Sequence, residues 1–156
     1  MKPACQGIQQ KIGGNEAYYS TEKNASEEGK TFVLKCSSDT LICRLKLDKG
    51  LIPIIPDQKQ CDYLFVRENS HLASFDYYFI ELKGSAKEAD YAYEQIIQAI
   101  AFVKSKVGFI PKNAIWAFIV GGADTQNMNR LKEQFRKYIG VMLKHNTGKR
   151  YEHQIR

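Results

Sequence analysis

The sequence predicts one domain of the α/β (α+β) class, a mixed central β-sheet flanked by helices, and three stretches carry that reading. FDYYFIELK (75–83) is a run of aromatic and β-branched residues of strand length. Ala89, Ala92, Ile96, Ala99, Ile100 and Val103 then recur at helical spacing and form one apolar stripe, the mark of a helix lying on a sheet. AIWAFIVGG (114–122) is almost continuously apolar, as an interior strand covered on both faces should be. A chain of 156 residues is the size of one domain, with an expected core over about 31–143 and a basic tail over 144–156.

The elements follow in order. Residues 1–30 are polar and rich in Gly, Ser and Glu, with at most a short helix near Glu16 to Lys23. TFVLKC (31–36), the turn signal SSDT and the alternating LICRLKL (41–47) read as two strands, closed by a turn at Asp48, Lys49 and Gly50. The prolines of IPIIPDQKQ argue for an extended connection to the strand CDYLFVR (61–67). ENSHLAS is a polar loop, and its His71 has no partner that the sequence reveals. After 75–83, Gly84 ends the strand, Ser85 is an N-cap and Glu88 stands three later as its capping-box partner. Gly108 and Pro111 end that helix. Asp124 or Thr125 caps a last one, with Met128, Leu131, Phe135, Tyr138 and Met142 on its buried side.

No window holds 18 uninterrupted apolar residues and the first residues lack the apolar run of a signal peptide, so no membrane association and a cytoplasmic location are expected. Cys5, Cys36, Cys43 and Cys61 form no C-x-x-C pair, and reduced structural thiols are the expectation. The alternative pairing is Cys36 with Cys43 across a hairpin. The net charge of +6 lies entirely in residues 126–156, where eight Lys and Arg stand against Glu133 and Glu152. A basic end on a neutral body suits a polyanion, since cations that displace counterions from phosphates give affinity independent of sequence.

Side chains alternate along a strand, so Phe75, Tyr77, Phe79, Glu81 and Lys83 share one face, and Glu81 and Lys83 interrupt an aromatic row. Charge in such a place needs a partner or a cleft. Folding 61–67 and 75–83 into a hairpin about the loop places Asp62 across from Glu81 or Ile80. Two carboxylates beside one lysine are relieved by a hard divalent cation such as Mg²⁺, which favours carboxylate oxygens. The plainer reading of Glu81 and Lys83 is a surface ion pair on an edge strand.

Asp62, then Glu81-Leu82-Lys83 on the next strand, then a helix bearing Gln95, resembles the PD-(D/E)XK nuclease superfamily, with its restriction-endonuclease-like core, over about 40–122. The resemblance implies a deoxyribonuclease that hydrolyses phosphodiesters with Mg²⁺, or Mn²⁺ in its place. Asp62 and Glu81 would ligate the metal with the Leu82 carbonyl. Lys83 would orient or help deprotonate the attacking water, and Gln95 would support the site. Arg130, Arg136, Lys137, Lys144, Lys149 and Arg150 would grip DNA, with RNA open as a second polyanion. The residue before the aspartate is Cys61, not proline, and only Glu22, Glu27 and Glu28 are candidates for the glutamate that many members carry on an earlier helix. A homodimer or a partner protein for target selection are further expectations. The alternative is a nuclease-fold module that binds nucleic acid or protein without cutting.

Overall fold

The computed structural model describes residues 2–51, 61–69, 74–82, 89–122 and 125–155. Among these residues, three α-helices (α1 Pro3–Ile12, α2 Ala89–Val107, α3 Thr125–Ile139) and nine strands make a mixed α/β fold with two sheets. The strands are β1 Tyr19–Ser20, β2 Asn24–Glu27, β3 Lys30–Lys35, β4 Ile42–Lys46, β5 Tyr63–Asn69, β6 Ser74–Leu82, β7 Ile115–Val120, β8 Leu143–Asn146 and β9 Arg150–Gln154. The larger sheet has the order β1-β4-β5-β6-β7-β8, antiparallel as far as β6 and parallel from β6 to β8. The smaller sheet has the order β2-β3-β9.

The pleat of the large sheet divides the core in two. Leu64, Val66, Tyr77, Phe79, Ala117 and Ile119 face one way and pack with the buried stripes of α1, α2 and α3. Their alternates Phe65, Tyr78, Ile80, Leu82, Phe118 and Val120 face the other way, against Phe32 and Leu34 of the small sheet. Phe32 meets Phe118 at 4.9 Å and Phe65 at 5.7 Å between ring centroids, within the range favoured by aromatic pairs. The layers are therefore helices, large sheet, small sheet. Among the described residues helices cover one face and strands close the other, which narrows the expectation of a sheet flanked by helices.

The interior strand at 114–122 and the stripe of α2 stand as the sequence predicts: Ala89, Ala92, Ile96, Ala99, Ile100 and Val103 are all buried. Several other expectations are corrected. A helix forms at Pro3–Ile12, where Pro at its start and Ala4, Cys5, Ile8 and Ile12 on one face suffice, while Glu16–Tyr18 is a single 3-10 turn. The core thus begins well before residue 31. Strands β3 and β4 do not pair: the turn forms, with Thr40 N–H donating to Ser37 O at 3.1 Å, but it carries the chain from one sheet to the other. Strand β3 pairs instead with β2, through a two-residue turn at Glu28 (φ 50°) and Gly29 (φ 77°).

Residues 143–155 hold the two strands β8 and β9, where a basic tail over 144–156 is expected. Tyr151, His153 and Ile155 are half-buried while Arg150, Glu152 and Gln154 are exposed, a period of two that the charges obscure. Tyr138 and Met142 are exposed, because the 3.6 period carries the stripe of α3 from Phe135 to Ile139, and Met142 lies beyond the helix. The connection 52–60, His71, the Ser85 and Glu88 cap and Asp124 lie outside the described residues.

Reduced thiols are overturned for two cysteines, and the Cys36–Cys43 pairing with them. Cys5 of α1 and Cys43 of β4 form a disulfide with 5.0 Å between Cα atoms, and both are buried. Cys36 and Cys61 are free. The bond closes a separation of 38 residues and ties the N-terminal helix to the sheet. Cys5→Ala together with Cys43→Ala, or reduction of the native chain, should lower stability by about 2–4 kcal/mol. Urea unfolding with and without reductant measures this, and an unchanged midpoint would count against the bond.

Candidate functional site

The antiparallel register pairs Tyr63 with Ile80 and Leu64 with Phe79, so the residue before β5, Asp62, stands opposite Glu81. The ladder holds Asp62 from the other side as well, its carbonyl accepting from Leu47 N–H at 3.1 Å. The two acidic side chains bond to each other's strand: Glu81 Oε1 accepts from Asp62 N–H at 3.1 Å, and Asp62 Oδ2 accepts from Leu82 N–H at 2.9 Å. These bonds lock two carboxylates side by side at the carboxyl end of β6. Ligands of α/β sheets are commonly bound at such strand ends.

Glu81 is only 1% exposed, and Gln95 only 5%; among the described residues they are the buried polar side chains. Gln95 lies on the same side of α2 as Ala92, Ile96 and Ala99, which pack on the sheet face that bears Glu81. The layer between α2 and β6 is otherwise apolar. A buried carboxylate there costs several kcal/mol of desolvation, which only directed hydrogen bonds or a bound cation offset.

Cys61 completes the immediate surroundings. Burial pushes its thiol well above the usual range, and the negative charges of Glu81 and then Asp62 push it further. Its Sγ donates to Tyr63 O at 3.6 Å. The thiol therefore stays protonated and is not a nucleophile.

Parallel pairing extends the row across the sheet, from Glu81 to Ile119 of β7 and on to His145 of β8. With strands about 4.8 Å apart, His145 stands about 10 Å from Glu81 on the same face. His145 Nε2 lies 3.1 Å from Gly121 O and 3.3 Å from Gly122 O, and since carbonyls only accept, this nitrogen carries a proton and donates. Desolvation lowers its pKa, partly opposed by those carbonyls. Sequence reasoning missed His145 because its place depends on β8, which reads as tail.

Lys83 lies outside the described residues. Glu22, Glu27 and Glu28 do not supply a helix glutamate: Glu22 pairs with Arg44 at 2.8 Å, Glu27 accepts from Tyr63 O–H at 3.1 Å, and Glu28 sits in the exposed β2–β3 turn. Helix α1, which precedes the large-sheet meander, carries no acidic residue. Among the described residues no three His, Cys, Asp or Glu group closely enough to hold a metal. A pair of carboxylates still fits Mg²⁺, which keeps several waters and commonly takes one or two carboxylates plus substrate phosphates.

The six basic residues do not form one track. Arg130 donates to Asp90 at 2.8 Å, near the start of α2, and so holds that carboxyl below its usual range. Arg136 and Lys137 lie in the last turn of α3. Lys144 pairs with Phe118, and so points to the face opposite Glu81. Lys149 and Arg150 are exposed at the small sheet, Arg150 donating to Glu152 at 2.7 Å. No helix among the described residues is long and apolar enough to cross a membrane.

Comparisons with protein families, with curated proteins and with solved structures return no match.

Two measurements probe these environments. A thiol reagent should modify half-buried Cys36 readily in the native chain and Cys61 only on unfolding; two fast thiols would contradict the packing around Asp62 and Glu81. Desolvation also lowers the pKa of His153. A histidine whose folded pKa lies below its unfolded one binds fewer protons when folded, so its cost to stability appears as pH falls below about 6.5. Between about pH 7.5 and 5, the wild type should lose more stability than His145→Asn/His153→Asn, and equal losses would refute the burial argument.

Proposed function

We propose that this chain is a Mg²⁺-dependent phosphodiester hydrolase acting on DNA, of PD-(D/E)XK type with a restriction-endonuclease-like core. One observation carries the reading: Asp62 and Glu81 lie side by side at the carboxyl end of β6, each bonded to the other's strand. Further support comes from the order α1, β4-β5-β6 meander, α2, β7, and from the buried Gln95 on the helix that follows the paired carboxylates.

Asp62, Glu81 and the Leu82 carbonyl would hold the cation. A bound Mg²⁺ supplies a more acidic water and a counter-charge for phosphate oxygens. The chain's own part is positional: the backbone amides of Asp62 and Leu82 aim the carboxylates, and α2 closes the layer behind Glu81 against water. By the resemblance, Lys83 would orient the attacking water and Gln95 would support the site. DNA is the favoured polymer, and a homodimer or a partner protein would direct the target.

A second reading, a module that binds without cutting, is favoured by the lack of a third His, Cys, Asp or Glu side chain beside the pair among the described residues and by a first helix free of glutamate. Single-stranded, duplex and branched DNA, incubated with Mg²⁺ or Mn²⁺, separate the two. The hydrolase reading expects cleavage that chelation abolishes and that Glu81→Ala or Asp62→Asn lowers at least about 100-fold. Equal cleavage by variant and wild type, or none by either, would reject it. Calorimetric Mg²⁺ binding that vanishes in Asp62→Asn would remain only on the hydrolase reading.

A further inference from the structure

Helices α2 and α3 run back from the carboxyl ends of β6 and β7, so both finish at the opposite end of the large sheet from Asp62 and Glu81. With 19 residues, α2 alone separates the two ends by about 28 Å. At the far end the segment after α3 meets the segment before β7: a Cβ on Gly140 would touch Lys112 Cδ at 3.2 Å. Around that junction Phe109 is 89% exposed, Tyr138 73% and Met142 58%, three of the large apolar side chains that the fold leaves in water.

The same junction is strongly basic. Three lysines, among them Lys106 and Lys112, and no acidic residue stand between 101 and 114. Arg136 and Lys137 follow in the last turn of α3, Arg136 paired with Glu133 at 3.4 Å, which leaves Lys137 as the cation there without an acidic neighbour in 134–143. Cations in the last turns of α2 and α3 answer the partial negative charge of the helix ends, which explains part of this charge. It does not explain Lys112, which lies outside both helices, nor two aromatic rings and a thioether exposed on the segments that meet there.

We propose that this end of the molecule is a binding surface for single-stranded nucleic acid. Phe109 and Tyr138 are the stacking platforms for bases, and Lys106, Lys112 and Lys137 are the phosphate contacts. Exposed flat rings interleaved with cations are what an unpaired strand requires, because every base has a π-face and every nucleotide a charge. An anionic membrane suits the composition less well, since it takes up a continuous apolar helix face and these residues sit in loops and at helix ends. The inference rests on the nuclease reading only for what lies at the other end of α2; binding itself needs no cleavage.

Fluorescence polarisation tests it, using the full chain in metal-free buffer and a labelled oligodeoxythymidylate of about 20 nucleotides. Phe109→Ala/Tyr138→Ala should weaken binding at least about tenfold, and Phe109→Trp alone should not. Lys112→Ala should flatten the slope of log K against log salt by about 0.7. All these side chains are exposed, so unchanged thermal melting shows that the variants are folded. Aromatic variants that bind within twofold of the wild type, or a wild type that binds anionic phospholipid vesicles and not the oligonucleotide, would overturn the proposal. Cleavage that depends on Glu81 with binding indifferent to the rings removes this surface and leaves the nuclease reading. Ring-dependent binding by a chain that never cleaves does the reverse.

Discussion

The register of β5 against β6 is the constraint on which the rest depends. Tyr63 opposite Ile80 puts Asp62 opposite Glu81, and it also sends Leu64, Val66, Tyr77 and Phe79 to the helices and Phe65, Tyr78 and Ile80 to the small sheet. A slip of one residue would exchange the two sets and part the carboxylates. Both faces of these strands are apolar, so alternation of polar and apolar residues cannot by itself choose the register. The two side chain to backbone bonds of Asp62 and Glu81 are directional and tie the strands in one alignment.

Around that register the molecule is polarised end to end. The carboxyl ends of β6 and β7 gather Asp62, Glu81, Cys61 and, through β8, His145, all near the helix-covered face. The opposite end collects the finishing turns of α2 and α3, where cations and exposed rings accumulate. The arrangement follows from the crossovers: a helix that returns a chain between parallel strands must begin at one end of the sheet and finish at the other.

The parts of the fold that were legible are those with one strong apolar signal, a continuous run or a helical stripe. AIWAFIV and the stripe from Ala89 to Val103 are long, apolar and unambiguous, and both form as read. The small sheet was illegible because its strands carry little of the signal: β2 buries Ala25 alone, and β9 hides its alternation under Arg150, Glu152 and Gln154. Helix α1 was legible in principle, with Pro first and an apolar face, but Gly7 and three glutamines weaken it. Gly7 is there for packing, since a Cβ would meet the Phe75 ring at 3.1 Å.

By itself the sequence determined the order of the main elements and the interruption of an aromatic strand face by Glu81, because alternation and helical spacing are local properties of the chain. Symmetry about a loop narrowed the partner of Asp62 to two residues. Only the tertiary structure chose between them, joined Cys5 to Cys43 across 38 residues, carried His145 into the row of Glu81 and spread the basic residues over separate surfaces. Each of those outcomes depends on which strands become neighbours across long separations, and that is decided by the joint packing of two cores, which no single stretch of the chain contains.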